Sequence, residues 1–228
     1  IKIISNFTFF IFSNFFIASI RTGTSPILSP DNFFGLINGT FAPYFFAKKA
    51  IDKGAAGLVA VAAGAGGHAG TLSPFALIQE IREWFSGPLL LSGSIANGGA
   101  VLAAQAMGAD LAYIGSAFIA TDEANADQRY KEMITESSAD DIVYTNLFTG
   151  VHGNYLKGSI VAQGLDPDNL EVSDSSKMNF SSGASKPKSW KEIWGSGQGI
   201  SAVKSIMPAG ELVKRINKEY IEAKNKLI

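Results

Sequence analysis

Residues 57–70 read Gly57-Leu58-Val59-Ala60-Val61-Ala62-Ala63-Gly64-Ala65-Gly66-Gly67-His68-Ala69-Gly70. The first half is a continuous apolar run of strand length, as expected of a parallel strand covered on both faces. The second half is a glycine-dense loop, and backbone without a Cβ can come close to whatever lies beside it. His68 is one of 2 histidines in 228 residues. Imidazole is the side chain whose ordinary pKa suits proton transfer near neutrality. A buried strand opening into a thin loop with one acid–base group points to a ligand site at the carboxyl end of a parallel sheet.

The pattern repeats on either side. Residues 47–53 read as a helix end with Gly54 as its stop. Ser73-Pro74 supplies a cap and a first-turn proline for a helix running to about Phe85. Residues 88–92 are a second apolar strand that opens into Gly93-Ser94-Ile95-Ala96-Asn97-Gly98-Gly99. A helix of small residues follows, from Ala100 to Met107. A third strand, 110–114, runs into Gly115-Ser116, and Asp122 is placed to cap the next helix. Strand and helix alternating in units of roughly 20–30 residues make a parallel sheet flanked by helices. In open sheets and barrels alike, ligands lie at the carboxyl ends of such strands. All three glycine-rich turns are at that end.

Three regions are expected. Residues 1–46 are an atypical aromatic-rich segment. Residues 47–138 hold the βα units. Residues 139–228 are loop-rich and close with an amphipathic helix from Pro208 to Leu227, its apolar side formed by Leu212, Val213, Ile216, Tyr220 and Ile221. Before Ala47 the charges are Lys2, Arg21 and Asp31. That beginning reads either as a targeting segment, Lys2 followed by an apolar run to Ile20, or as a truncated or irregular start. The polar interruptions at Ser5, Asn6, Thr8, Ser13 and Asn14 favour the second. Residues 140–148 suggest a short strand, 149–157 a polar turn-rich loop, and 173–189 an exposed loop.

Composition removes several classes of function. The net charge is −1, whereas nucleic-acid binding needs clustered cations. No cysteine is present, which excludes disulfides, thiolate metal centres and a cysteine nucleophile, and which fits a reducing cytoplasm. Two isolated histidines without an acidic cluster do not make a metal site. No membrane partner is expected, and the oligomeric state is left open.

The candidate site residues follow from the turns. Ser92, Gly93, Ser94 and Gly98 in one turn, and Gly115 and Ser116 in another, offer backbone N–H groups and hydroxyls at helix starts, as a phosphate requires. Ordinary α/β glycine turns would look the same. His68 either caps the next turn through a backbone carbonyl or acts as a base over a flat cofactor. His152 reads as a polar loop residue, Asp140-Asp141 as a solvated pair, and Trp190 and Trp194 as packing anchors. Gly195-Ser196-Gly197-Gln198-Gly199 is a candidate second cofactor-facing loop.

Taken together, Ala65-Gly66-Gly67-His68-Ala69-Gly70 with Ser73-Pro74-Phe75-Ala76-Leu77 and Glu80-Ile81-Arg82, then Leu91-Ser92-Gly93-Ser94-Ile95-Ala96-Asn97-Gly98, then residues 107–118, resemble the nitronate monooxygenase family over about residues 47–228. The resemblance implies a TIM-type β/α barrel that binds FMN. Gly93, Ser94, Gly115 and Ser116 would hold the phosphate, the Gly66-Gly67 backbone would approach the flavin, and His68 would be the base. The implied reaction oxidises alkyl nitronates or nitroalkanes to carbonyl compounds with O2. A related flavin reductase of enoyl-thioester type and an inactive remnant are the alternatives. A complete barrel takes about 250 residues, and residues 1–56 do not resemble the family's earlier units. The expectation is therefore a barrel truncated at its amino terminus, with an irregular, helical carboxyl region.

Overall fold

A computed structural model describes the strands within 3–20 and 37–38, the helix at 43–52, and residues 54–173 and 192–227, with side chains from Ala47 onward. The central strand is β5 (Leu58–Val61), buried along its whole length. It pairs in parallel with β4 (Ile37–Asn38) on one side and β7 (Leu89–Ser92) on the other. Strand β7 pairs in parallel with β8 (Leu111–Ile114). The alternation of each run divides its side chains between two faces. Leu58, Ala60, Leu89 and Leu91 pack with Leu77, Ile78 and Ile81 of helix α2 (Pro74–Arg82) and with Ala47 and Ala50 of helix α1 (Pro43–Asp52). Val59, Val61, Leu90 and Leu111 form a separate apolar layer on the other face with Ala65 and Ala69.

The remaining strands change the expected architecture. Strands β1 (Ile3–Ile4), β2 (Phe7–Phe12) and β3 (Phe15–Ile20) form antiparallel pairs, and β3 pairs antiparallel with β8. Among the described residues the order is β1-β2-β3-β8-β7-β5-β4, a linear sheet in which only four neighbouring strands run parallel. The sequence reading expects a barrel truncated at its amino terminus, with residues 1–46 an atypical aromatic-rich segment. Strands from that segment extend the sheet, where the β2–β3 hairpin pairs the backbone edge of β8. The α/β class and its parallel centre stand, and closure into a ring is not part of the described fold.

Local signals account for the helices. Ser73 Oγ accepts the Ala76 amide at the start of α2, 3.3 Å away. Asn97 Oδ1 accepts the Ala100 amide at 2.8 Å and starts α3 (Gly98–Ala106). Gly54, with φ +93°, follows α1 as expected of a helix stop. Asp122 does not cap the next helix: α5 (Gln128–Glu136) begins after Asp127, whose carboxylate accepts the Arg129 amide at 2.9 Å. Thr121 bridges to Met207, and the Asp122 amide donates to the Met207 carbonyl at 3.1 Å, which draws that segment away from a helical path.

Two more contacts fix the frame. At the amino ends of the strands, Asp110 accepts from Arg82 at 2.7 Å and from the Leu89 amide at 2.8 Å. Helix α7 (Ala209–Asn225) packs on α3 and β8 through Leu212, Ile216 and Tyr220. It also reaches the turn after β7: Arg215 donates to the Ala96 carbonyl at 2.9 Å, and Glu219 accepts the Gly98 amide at 2.9 Å.

Candidate active site

Three loops leave the carboxyl ends of β5, β7 and β8, and a fourth crosses them. The Ser94 amide donates to the Gly64 carbonyl at 3.2 Å, and the Gln198 amide donates to the same oxygen at 2.9 Å. The Gly197 amide donates to Ser116 Oγ at 2.9 Å. Residues 195–199 therefore bind the loops at 64–67, 94 and 116 together, where the sequence suggested a second cofactor-facing loop.

Glycine is needed here for close backbone approach. A Cβ at Gly64 would lie 2.1 Å from Ser94 Oγ, and its φ is +80°. One at Gly66 would lie 2.8 Å from the Gly197 nitrogen. A Cβ at Gly195 would stand 3.0 Å from the Gly67 nitrogen, and one at Gly153 would stand 2.6 Å from the Gly67 oxygen. The pro-Cβ sides of Gly66, Gly153 and Gly195 thus face protein backbone, and that of Gly64 faces the Ser94 and Gln198 side chains. The turn after β7 carries Gly93 at φ +139° and Ser94 at φ 56°. Gly115 is different: a Cβ there would meet nothing within 4 Å. Ser92, which ends β7, pairs with Val61 and Tyr113.

Gly98 is committed to another task. Its amide is taken by Glu219. A Cβ on it would sit 2.1 Å from the Tyr220 nitrogen and 2.3 Å from the Ile216 oxygen. It is the contact point of α3 with α7, and the expected cofactor role for Gly98 does not fit that placement.

His68 lies on β6 (Gly67–His68), a two-residue strand. Strand β6 pairs antiparallel with β10 (Gly153–Leu156), and β10 pairs with β9 (Ile142–Thr145). The register sets Gly153 opposite His68 and Asn154 opposite Gly67. His68 Nε2 lies 3.0 Å from Thr149 Oγ1. Partial burial holds its pKa below the ordinary 6.5, because the charged ring loses hydration. The neighbouring Ala69 is fastened at both backbone atoms: its amide donates to the His152 carbonyl at 3.3 Å, and its carbonyl accepts from Tyr144 Oη at 2.9 Å. The Tyr144 and His152 rings stack at 5.1 Å.

The sequence reading took 149–157 as a polar loop, and here it misses a strand. Strand β10 is buried throughout. Its polar member, Asn154, is accommodated because its Nδ2 donates to the Ala65 carbonyl at 2.7 Å while its own carbonyl accepts the Ser196 amide at 3.2 Å. Thr149, Asn154 and Tyr144 are therefore site residues that the sequence did not single out. The Asp140-Asp141 pair is also partly structural, since Asp141 accepts the Ser138 amide at 2.7 Å.

Trp194 is a packing anchor, as read from the sequence. It stacks on Tyr130 at 5.0 Å, with the Arg129 guanidinium 6.0 Å from the ring centroid. The Tyr130 hydroxyl donates to the Gly195 carbonyl, so the stack also holds the start of the crossing loop. Trp190 and residues 174–189 lie outside the described residues. Tyr113 accompanies the apolar layer of Val59, Val61, Leu90 and Leu111, and burial pushes its hydroxyl up to about 12. Among the described residues no group of three or more His, Cys, Asp or Glu could hold a metal, and no helix is long and apolar enough to cross a membrane.

The turns after β7 and β8 also offer groups that suit a flavin phosphate. A Cβ on Gly115 would meet open space, and the neighbouring Ser116 hydroxyl accepts the Gly197 amide. Ser196 Oγ is buried without a hydrogen-bond partner among the described residues. Open space at Gly115 and a buried Ser196 hydroxyl without a partner among the described residues suit a phosphate oxygen acceptor, so the residues fit the group. The amides of Ser94 and Gly98 are already used.

Comparison with known proteins gives a consistent result. The family profile of nitronate monooxygenase matches residues 37–219. A Paraburkholderia phytofirmans protein named nitronate monooxygenase is 29% identical over 191 residues, which is 75% of this chain and 52% of that protein. A Staphylococcus saprophyticus protein named as a probable nitronate monooxygenase is 27% identical over 200 residues, 78% of this chain and 56% of that protein. The chain thus spans about half the length of the curated relatives it matches. In fold it is similar to FabK from Thermotoga maritima, with TM-score 0.60 and 22% identity over 84% of this chain and 61% of that one. It is also similar to a nitroalkane oxidase from Streptomyces ansochromogenes, with TM-score 0.59 and 24% identity over 80% of this chain and 56% of that one.

Proposed function

The chain belongs to the nitronate monooxygenase family, and from that membership we propose that it serves the FMN-dependent oxidation of alkyl nitronates or nitroalkanes to carbonyl compounds with O2. The observation that carries this reading is the placement of His68. Its ring stands on a short strand beside the three gathered glycine loops, hydrogen-bonded to Thr149 and held towards its neutral form by burial. A neutral imidazole is the form that accepts a proton. His68 would take the proton on the carbon bearing the nitro group of a neutral substrate, or orient an already ionised nitronate.

Gly93, Ser94, Gly115 and Ser116 would hold the FMN phosphate, with Ser92 setting the start of the turn. The exposed side of the Gly66-Gly67 backbone would border the ring system. FMN, when bound, supplies the redox chemistry with oxygen. The apolar layer of Val59, Val61 and Leu90 would keep water from the reacting carbon.

The test begins with the purified chain. Addition of FMN is expected to give a protein-bound visible spectrum, and nitronates are expected to drive oxygen uptake. His68→Ala should lower turnover of neutral nitroalkanes by roughly 10²–10⁴-fold while FMN binding persists. A chain that takes up no flavin overturns the proposal and leaves the inactive remnant. NAD(P)H oxidation with an enoyl thioester, without nitronate-dependent oxygen uptake, would assign the reductase instead.

A further inference from the structure

We propose that Tyr144 is a positioning residue for His68: its hydroxyl, backed by the His152 ring, fastens the backbone of Ala69 and so fixes where the imidazole stands. This rests on the reading of His68 as the base.

The chain is pinned on both sides of His68. On the amino side, Gly67 lies opposite Asn154 in the ladder. Gly153 and Gly195 approach it so closely that a Cβ on either would crowd the Gly67 backbone. On the carboxyl side, Ala69 is fully buried, with Val59 and Val61 in its apolar layer. Its amide donates to the His152 carbonyl at 3.3 Å, and its carbonyl accepts from Tyr144 Oη at 2.9 Å. A buried carbonyl left without a donor weakens the fold, and here a side chain 75 residues along the chain supplies that donor. The next residue leaves no slack: a Cβ on Gly70 would lie 2.8 Å from the Val61 oxygen.

The two fasteners of Ala69 act as one unit. The Tyr144 and His152 rings stack at 5.1 Å, inclined by 24°. His152 therefore holds Ala69 with its carbonyl and steadies Tyr144 with its ring. Gly153, which follows His152, is the register partner of both His68 and Thr145, and Thr145 follows Tyr144. A tyrosine has few torsions to fix, so a stacked ring presents its hydroxyl at small entropic cost.

Position matters because of what the imidazole does. A base must come within hydrogen-bond reach of the proton that it removes, and a misplacement of about 1 Å can cost roughly 10²-fold in rate. A neutral nitroalkane has that proton to lose, whereas a preformed nitronate has already lost it. Loosening Ala69 should therefore separate the two substrates.

Tyr144→Phe removes the hydroxyl and keeps the stack. In hydrogen exchange of the full chain without flavin, the Ala69 amide should exchange roughly 2–12-fold faster, the worth of one ordinary hydrogen bond. The amides of 58–61 should keep their rates. Tyr220→Phe loses a hydroxyl bonded to Gln105 on α3 and should leave Ala69 as it was. With FMN bound, kcat for neutral nitroalkanes should fall roughly 10-fold or more in Tyr144→Phe, with KM and the turnover of preformed nitronates unchanged. Unaltered Ala69 exchange in Tyr144→Phe overturns the proposal, as does equal quickening at 58–61. An equal loss on both substrates also overturns it, since that is what a merely structural role would give. If the unsubstituted chain takes up no FMN, the functional reading fails, and the exchange comparison by itself still upholds or overturns the fastening of Ala69.

Discussion

In β5, β7 and β8, side chains point alternately into two apolar layers, and nearly every position is buried. In β6, β10 and β9, one strand has two residues, β10 is buried throughout, and glycine, asparagine and tyrosine add directional contacts. The first region is held by area removed from water, at roughly 25 cal/mol per Å². The second adds to the burial of β10 individual hydrogen bonds and glycine backbones in contact. Burial is non-directional and tolerates small movements. A hydrogen bond set by strand register does not, and His68 is placed by the second kind.

The largest expected effect lies in the first region. Leu89→Ala removes a fully buried side chain, 0% exposed, on the face away from Ala65 and Ala69, and should cost about 2–5 kcal/mol in urea unfolding. Titration of His68 should not move, and a shift would break the separation between the regions. Asn154→Ala strips the Ala65 carbonyl of its partner and should cost about 1–3 kcal/mol. Its hydrogen-exchange signature is faster exchange at 65–69 with the amides of 58–61 still protected. Equal loosening of both segments would mean that they open as one unit. Asn97→Ala removes the α3 cap at about 1 kcal/mol, and FMN affinity should fall with it if the turn at 93–97 holds the phosphate.

The smallest effect is a pH dependence. Folding lowers the His68 pKa below 6.5 by burial, so between the two values the unfolded chain binds more protons than the folded one. Stability from this source is fully present above pH 6.5 and is lost as pH falls through the folded value. His68→Gln should flatten that part of the stability profile. The same shift keeps the base unprotonated to lower pH, so the midpoint of the acid-side decline in kcat/KM for neutral nitroalkanes should lie below 6.5. A midpoint above 6.5 would contradict the burial argument.

The parallel centre was legible because its strands advertise themselves. An apolar run bounded by Gly57 and Gly64, or by Gly87 and Gly93, has few other readings. The helix stop at Gly54 and the cap at Ser73 were equally visible, because both act within a few residues. Strand β10 was not visible. Nothing near Asn154 in the chain states that Ala65 will supply its acceptor, 89 residues away. Gly98 misled for the same reason: a glycine in a turn looks alike whether a ligand or the backbone of α7 approaches it.

The sequence by itself determined the α/β class, the three carboxyl-end loops and the presence of one histidine among them, since local periodicity and glycine placement encode these. Only the tertiary structure decided that the sheet continues into an antiparallel hairpin, that 195–199 ties the loops together, and that Thr149 faces His68. Each of those depends on groups far apart in the chain meeting at hydrogen-bond distance, and such meetings are set by packing of the whole fold rather than by any local pattern.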